Sequence, residues 1–367
     1  MAQLKDYATA RAIAVLWNKY QASLGEPPYL GRSKFGVSKQ DNLDLAFIKG
    51  KSSLPVSLKA SAFDAQAELR DGIGFSRVEN SMPFFRESIM FTEKEEQMYA
   101  DFNASMVDKG AELLRQVVKK PLDLIRGARV VPERMIWQLL APTDGIPKIT
   151  TYVNGEVNTY YYMTSAEETA FKATNFVEIK GDSQWKNANS ATPLADLIKI
   201  KKDFAKNTGY NLVRFSMNIE TWEELVSAED TKKQVLGILA YQNGIRMADE
   251  DVVRYLAGKG IEIEVYNKIY VDENGTSQYF IPTGYVSAQS AGVYLGEFVF
   301  GRTPEERSGD ATTGSLSLVD TGIAVYTYST NHPINTHCVV SEIGLPTYEG
   351  MDSVVCINVD AGESPSA

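Results

Sequence analysis

Thr92-Glu93-Lys94-Glu95 opens the stretch TEKEEQMYADFNASMVDKGAELLRQVVKKP, residues 92–121. Thr92 is placed to accept from the third helical amide while Glu95 reaches back to the cap amide, the two halves of a capping box. Met98, Phe102 and Met106, then Leu113 and Val117, recur close to the helical period, and no proline interrupts before Pro121. The pattern predicts a helix of about 25–28 residues, roughly 40 Å long at the usual rise per residue. Helices of that length commonly act as beams, and a methionine stripe at this spacing fills core gaps more often than it grips a cofactor.

Upstream of this helix, residues 61–91 mix Phe63, Phe75, Phe84 and Phe85 with closely spaced charges such as Glu68, Arg70, Asp71 and Arg77. The segment is too polar for a buried core and too aromatic for a bare linker. The expectation is an extended arm whose apolar contacts lie on another molecule, against an ordinary hairpin folded on its own domain. Leu43, Leu45 and Phe47 alternate, a turn follows at 49–53, and Leu54, Val56 and Leu58 alternate again, which reads as strand, turn and strand. Farther back, Ile13, Leu16, Trp17 and Tyr20 share one helical face, and Gly25-Glu26-Pro27-Pro28 stops that helix. Asp6 and Arg11 interrupt the apolar run a signal peptide needs.

Downstream, a second short helix is expected from Glu133 to Leu140, after Val131-Pro132. Two hairpins are signalled by Asn-Gly turns. Residues 149–153 face 157–163 across Asn154-Gly155, and 261–271 face 279–281 around Asn274-Gly275. Between them the pattern predicts helices over 194–208, 219–225, 230–241 and 249–257, and a strand over 211–217. Helices and strands mixed in this order make an α+β protein.

The chain has 367 residues, 44% hydrophobic and 23% charged, enough to bury a large core in two or three domains. Its 37 basic and 47 acidic residues give a net charge of −10, which argues against sequence-specific DNA binding. The longest uncharged stretch, 274–296, carries Pro282 and several glycines and does not satisfy the requirements of a membrane span. With no export or membrane signal, Cys338 and Cys356 are expected to stay reduced.

Catalytic chemistry finds little material in two His and two Cys. Gly50-Lys51-Ser52 ends like a phosphate loop, but Leu45 stands where the upstream glycine belongs. His332, His337, Cys338 and Cys356 could be mistaken for a zinc set; His337 and Cys338 are neighbours in a predicted strand and point to opposite faces. No Gly-x-Ser-x-Gly elbow accompanies either His. No catalytic, cofactor or metal residue is therefore assigned, and an enzyme working through paired carboxylates is the weakest of the readings weighed.

Four stretches carry a family resemblance. The first is 43–91, with Leu54-Pro55-Val56, Ser61-Ala62-Phe63-Asp64, Leu69-Arg70-Asp71 and Met82-Pro83-Phe84-Phe85-Arg86-Glu87. The second is Gly127-Ala128-Arg129-Val130-Val131-Pro132-Glu133-Arg134 with Gln138-Leu139-Leu140. The third is Trp185 with Thr192-Pro193-Leu194-Ala195-Asp196-Leu197. The fourth is 261–307, with Tyr266, Tyr270, Ile281-Pro282, Leu295-Gly296 and Gly301-Arg302-Thr303-Pro304-Glu305-Glu306. Together, over about three quarters of the chain, they resemble the lambda-type major capsid proteins of tailed bacteriophages, the phage capsid protein E family.

The resemblance implies the HK97-like capsid fold: an N-terminal arm at 1–40, an extended loop at 41–91, a peripheral domain with a spine helix at 92–192, an axial domain at 193–325, and C-terminal strands of the peripheral domain with a tail at 326–367. It implies a subunit that self-assembles as hexamers and pentamers into an icosahedral shell around double-stranded DNA. A separate scaffolding protein, a portal and a decoration protein are the implied partners. The implied places are the virion and, during assembly, the host cytoplasm. Inter-subunit contact candidates are Trp17 in the arm and Phe63, Phe75, Phe84, Phe85 and Arg86 in the loop. A cellular nanocompartment shell subunit of the same fold is the alternative.

Overall fold

The computed structural model describes residues 9–24, 28–50, 75–98, 107–153, 156–308 and 314–362. The chain divides into two units, one of Met1–Leu45, Glu79–Met135 and Glu297–Thr347, the other of Ala46–Val78, Ile136–Gly296 and Tyr348–Ala367.

The first unit is built on a six-stranded sheet. Its order is Gly36–Lys39, Glu297–Gly301, Ile334–Pro346, Ile323–Asn331, Gly314–Val319, with Phe84–Phe91 also paired to Ile334–Pro346. The Gly36–Lys39 pairing is parallel and the others are antiparallel. Alternation decides which face is packed. Phe91 and Ile89, Cys338 and Val340, Ile323 and Val325, and Val319 turn to one side, where they meet Ala10, Ile13 and Trp17 of the helix Ala10–Leu24 and Leu122 and Ile125 of the long helix Val107–Leu140. The N-terminal helix therefore buries Ile13 and Trp17 of the face its periodicity predicted, with Tyr20 half-buried beside them and Leu16 half-buried outside this cluster.

The capping box is present: the Thr92 amide donates to Glu95 Oε2 at 3.0 Å and the Glu95 amide to Thr92 Oγ1 at 3.3 Å. Residues 93–98 are helical. The expected stop at Pro121 and fresh start at Glu133 do not occur, because Val107–Leu140 runs through both Pro121 and Pro132. Each internal proline costs about 3 kcal/mol. Burial of a single large apolar side chain returns about 1.5–3 kcal/mol. Leu122, Ile125, Met135, Ile136, Leu139 and Leu140 are all buried, so packing outweighs the two missing hydrogen bonds.

The second unit holds a five-stranded mixed sheet in the order Phe176–Lys180, Val354–Ala361, Tyr285–Ser290, Leu212–Met217, Glu262–Val265. The helices Pro193–Thr208, Ile219–Ser227 and Asp249–Ala257 cover one face through Leu194, Leu197, Phe204, Trp222, Leu225, Val252 and Leu256. The hairpin Lys148–Val153 with Glu156–Tyr161 forms in the expected register, its Asn154-Gly155 tip lying outside the described residues.

The other hairpin is shorter than expected, Ile269–Val271 with Ser277–Tyr279. Glu262–Val265 leaves it to pair in parallel with Leu212–Met217, where Ile263 packs on the core. The helix expected over 230–241 breaks at Gly237, whose φ of 80° ends Glu229–Leu236.

The expected borders at 192 and 325 also move. Val354–Ala361 is an interior strand of the second unit's sheet, and Gly314–Val319 pairs with Ile323–Asn331 in the first. Within the loop expected over 41–91, Phe84–Phe91 is a ladder strand of the first unit. Asp44–Gly50 pairs with Phe75–Ser81, and Phe63 and the strand expected over 54–58 lie outside the described residues.

Candidate functional site

Phe84–Phe91 sets out the loop candidates by alternation. Phe84 is 39% exposed, Phe85 is half-buried opposite Glu342 on the packed side, and Arg86 is exposed. The Arg86 guanidinium stands 5.1 Å from the Phe84 ring centroid and 3.4 Å from Glu305 Oε1. Phe75 lies in its strand with its side chain outside the described set, as does Phe63 altogether. Trp17 is buried within its own unit, so its surface is spent at home and not on a neighbour.

Glu305 belongs to the short helix Pro304–Ser308, where it also accepts from Ser341 Oγ at 2.8 Å. Next to it, Glu306 pairs with Lys39 at 2.6 Å, and the Arg307 guanidinium donates to the Asp41 carbonyl at 2.6 Å. The Thr303-Pro304-Glu305-Glu306 motif is thus a fastening point for three distant segments of the first unit. The partners lie 219–267 residues away, or 36 in the case of Ser341, and had no local signal.

The Gly127–Arg134 stretch works the same way. Arg129 pairs with Asp320 at 3.0 Å and lies 5.5 Å from the ring centroids of both Trp17 and Tyr29. Glu133 is fully buried, and its two carboxylate oxygens accept from the Gly31 and Arg32 amides at 2.8 Å each, satisfying the open end of the helix Leu30–Lys34. In the second unit Trp185 is buried and donates from Nε1 to Asp196 Oδ2 at 3.2 Å. Burial pushes the Asp196 carboxyl up, against the pull of that hydrogen bond.

Three further groups matter electrostatically. Burial pushes the Cys338 thiol up to about 12 and the Cys356 thiol higher still, so neither offers a thiolate. The Glu224 carboxyl is raised to about 7, first by burial and then by the neighbouring Asp360 carboxylate. Glu342, in the middle strand Ile334–Pro346, is 2% exposed, and neither of its oxygens has a hydrogen-bond partner among the described residues. Burial holds it well above the usual carboxylate range, with Arg32 pulling the other way. No cluster of His, Cys, Asp and Glu that could hold a metal occurs among the described residues. The expected zinc decoy is separated as alternation requires: His337 stacks on Tyr328 at 4.8 Å, while Cys338 faces the core.

These residues fasten and cap; they do not converge on a reacting atom. What the described surface offers is contact area, with Phe84, Met90, Leu316, Leu318, Ile238, Leu239 and Ile245 all well exposed. Among the described residues no helix is long and apolar enough to cross a membrane.

Residues 10–319 match the family model described as phage major capsid protein E. No curated protein matches the sequence. Among solved structures, the putative capsid protein of a prophage of E. coli CFT073 superposes with a TM-score of 0.53 at 13% identity, covering 95% of this chain and 98% of that one. A phage-related protein of Bordetella bronchiseptica RB50 gives 0.51 at 14% identity, covering 94% and 96%. At such identities the likeness is one of fold, the α+β HK97-like capsid fold. The match spans most of the sequence, from the N-terminal helix to the edge strand Gly314–Val319, and on it the chain belongs to the phage major capsid protein E family.

Proposed function

We propose that copies of this chain, a non-enzymatic phage major capsid protein, assemble as hexamers and pentamers into an icosahedral shell that encloses double-stranded DNA. The observation that carries the reading is the family match over residues 10–319, which takes in most of the segment proposed as arm, the segment proposed as loop and the long helix Val107–Leu140. A closed shell needs several modest contacts per subunit. Each stays reversible during assembly, and together they hold by multivalency.

In this reading the first unit, with most of the long helix, serves as the peripheral domain and the second as the axial domain. The extended loop that overlaps a neighbour lies within residues 41–91, and its strand Phe84–Phe91 returns to the first unit's sheet. Phe63, Phe75, Phe84, Phe85 and Arg86 are its contact residues, with Phe84 and Arg86 the most exposed of those described. The scaffolding protein, portal and decoration protein are partners in assembly, which takes place in the host cytoplasm and ends in the virion. A net charge of −10 keeps the subunit from adhering to the packaged DNA.

Purification with the candidate scaffolding protein, followed by electron microscopy, tests the proposal. Uniform closed shells, with DNA inside particles taken from phage, are expected. A chain that stays monomeric under all such conditions refutes it, and native shells filled with a protein cargo instead of DNA would mark a nanocompartment.

A further inference from the structure

The packed side of the first unit's sheet has an opposite face, and the registers place on it a continuous set of side chains. Leu316 and Leu318 come from the edge strand Gly314–Val319, Tyr326 and Tyr328 from Ile323–Asn331, His337 from Ile334–Pro346 and Met90 from Phe84–Phe91. Tyr326 and Tyr328 stack at 5.8 Å, and Tyr328 and His337 at 4.8 Å with planes 8° apart. The Tyr326 ring lies over Gly314, where an added Cβ would come within 2.5 Å of it. The edge strand therefore gives up a side chain so that the ring can lie flat.

Leu316, Leu318 and Met90 are 38%, 49% and 41% exposed, and none of the six residues is Asp, Glu, Lys or Arg. Toward the other end of the same face the chain covers itself, with Glu305 of Pro304–Ser308 reaching Ser341 and Arg86. The aromatic part, Tyr326, Tyr328 and His337, is half-buried, and it is flanked by the well exposed Leu316, Leu318 and Met90.

We propose that a second copy of this chain covers this face in the shell, an inference that rests on the capsid reading. Charge selects the occupant. Each copy carries a net −10, so copies repel, and a contact free of formal charge is where two of them meet at least Coulomb cost. Nucleic acid would ask for Lys and Arg, which the six residues lack. Tyrosine and methionine with few charges are what the buried centre of a protein–protein interface contains.

The chain's two cysteines are both buried, so a cysteine introduced on this face is the accessible thiol to follow. Leu318→Cys and Met90→Cys, in the full-length chain, are reacted with a small maleimide before assembly and again in finished shells. Labelling at least tenfold slower in shells is expected, and equal rates overturn the inference. Leu318→Glu supplies a second readout, with unchanged melting of the unassembled chain and at least a tenfold loss of particle yield expected. Normal yield from a normally folded variant overturns the inference as well. Failure of the unaltered chain to form shells is a different result, which sinks the capsid reading and this inference with it.

Discussion

Glu342→Gln makes the buried orphan carboxyl of the first unit testable. In the native chain this group is held well above its ordinary 4.5 by burial, only partly offset by Arg32, while in the unfolded chain it titrates normally. Below pH 4.5 both states hold the proton and no pH-dependent cost exists. Above it the unfolded chain releases the proton and the native chain keeps it, so rising pH favours unfolding until the native value is passed. The slope is about 1.4 kcal/mol for each pH unit in that window, or roughly 3–5 °C of melting temperature for a unit of this size. Glutamine removes the titration and keeps the shape. Urea titrations of the unassembled wild-type and variant chains, followed by tryptophan fluorescence at half-unit steps from pH 4 to 8, isolate the term, because every other group cancels in the difference. The variant should be progressively more stable relative to wild type as pH rises from 4.5. Glu342→Leu, which removes both unpaired oxygens, should gain about 1–3 kcal/mol at neutral pH. A stability difference that stays flat across the series, or that grows toward acid, refutes the reasoning.

Two further outcomes follow from the same physics. Glu224→Gln should flatten a loss of stability that the wild type shows as pH rises from 4.5 to about 7, since Glu224 is raised to about 7 by burial and by Asp360. The residue is half-buried, so solvent screening on its open side trims the effect to about 1–2 kcal/mol, and thermal melts at pH 5 and pH 8 are the check. Arg129→Met should cost about 1–3 kcal/mol by losing the Asp320 ion pair and the stacking on Trp17 and Tyr29. Hydrogen exchange should quicken in Ala10–Leu24 first, with Arg129→Lys restoring only part of the protection because it lacks the planar fork.

Local signals were legible where the physics is local. The Thr92–Glu95 box, the Ile13/Trp17 face, the Lys148–Tyr161 hairpin and the helix Asp249–Ala257 all involve residues within a few positions of one another. The proline rule misled at Pro121 and Pro132 because it prices a helix in isolation, whereas this one is held by buried neighbours. Glu133 looked like the start of a helix and proves to cap another one 102 residues earlier in the chain. Glu342 could not be singled out at all, since its character comes from what surrounds it. The four resembling stretches pointed to the fold, yet most of their residues turn out to hold each unit together, and Trp17 shows how a large aromatic side chain that reads as a contact is consumed by its own core.

The parallel pairing of Gly36–Lys39 with Glu297–Gly301 sets a schedule for synthesis. The ribosome adds about 5–20 residues per second. The earliest strand of the first sheet therefore waits roughly 13–50 s for its partner to be made, and longer for Ile334–Pro346, the strand that joins the rest. A chain cut short before Ile334 has no middle strand on which Phe84–Phe91, Ile323–Asn331 and Glu297–Gly301 can pair. The order of the thread thus ties completion of the first sheet to synthesis of nearly the whole polypeptide.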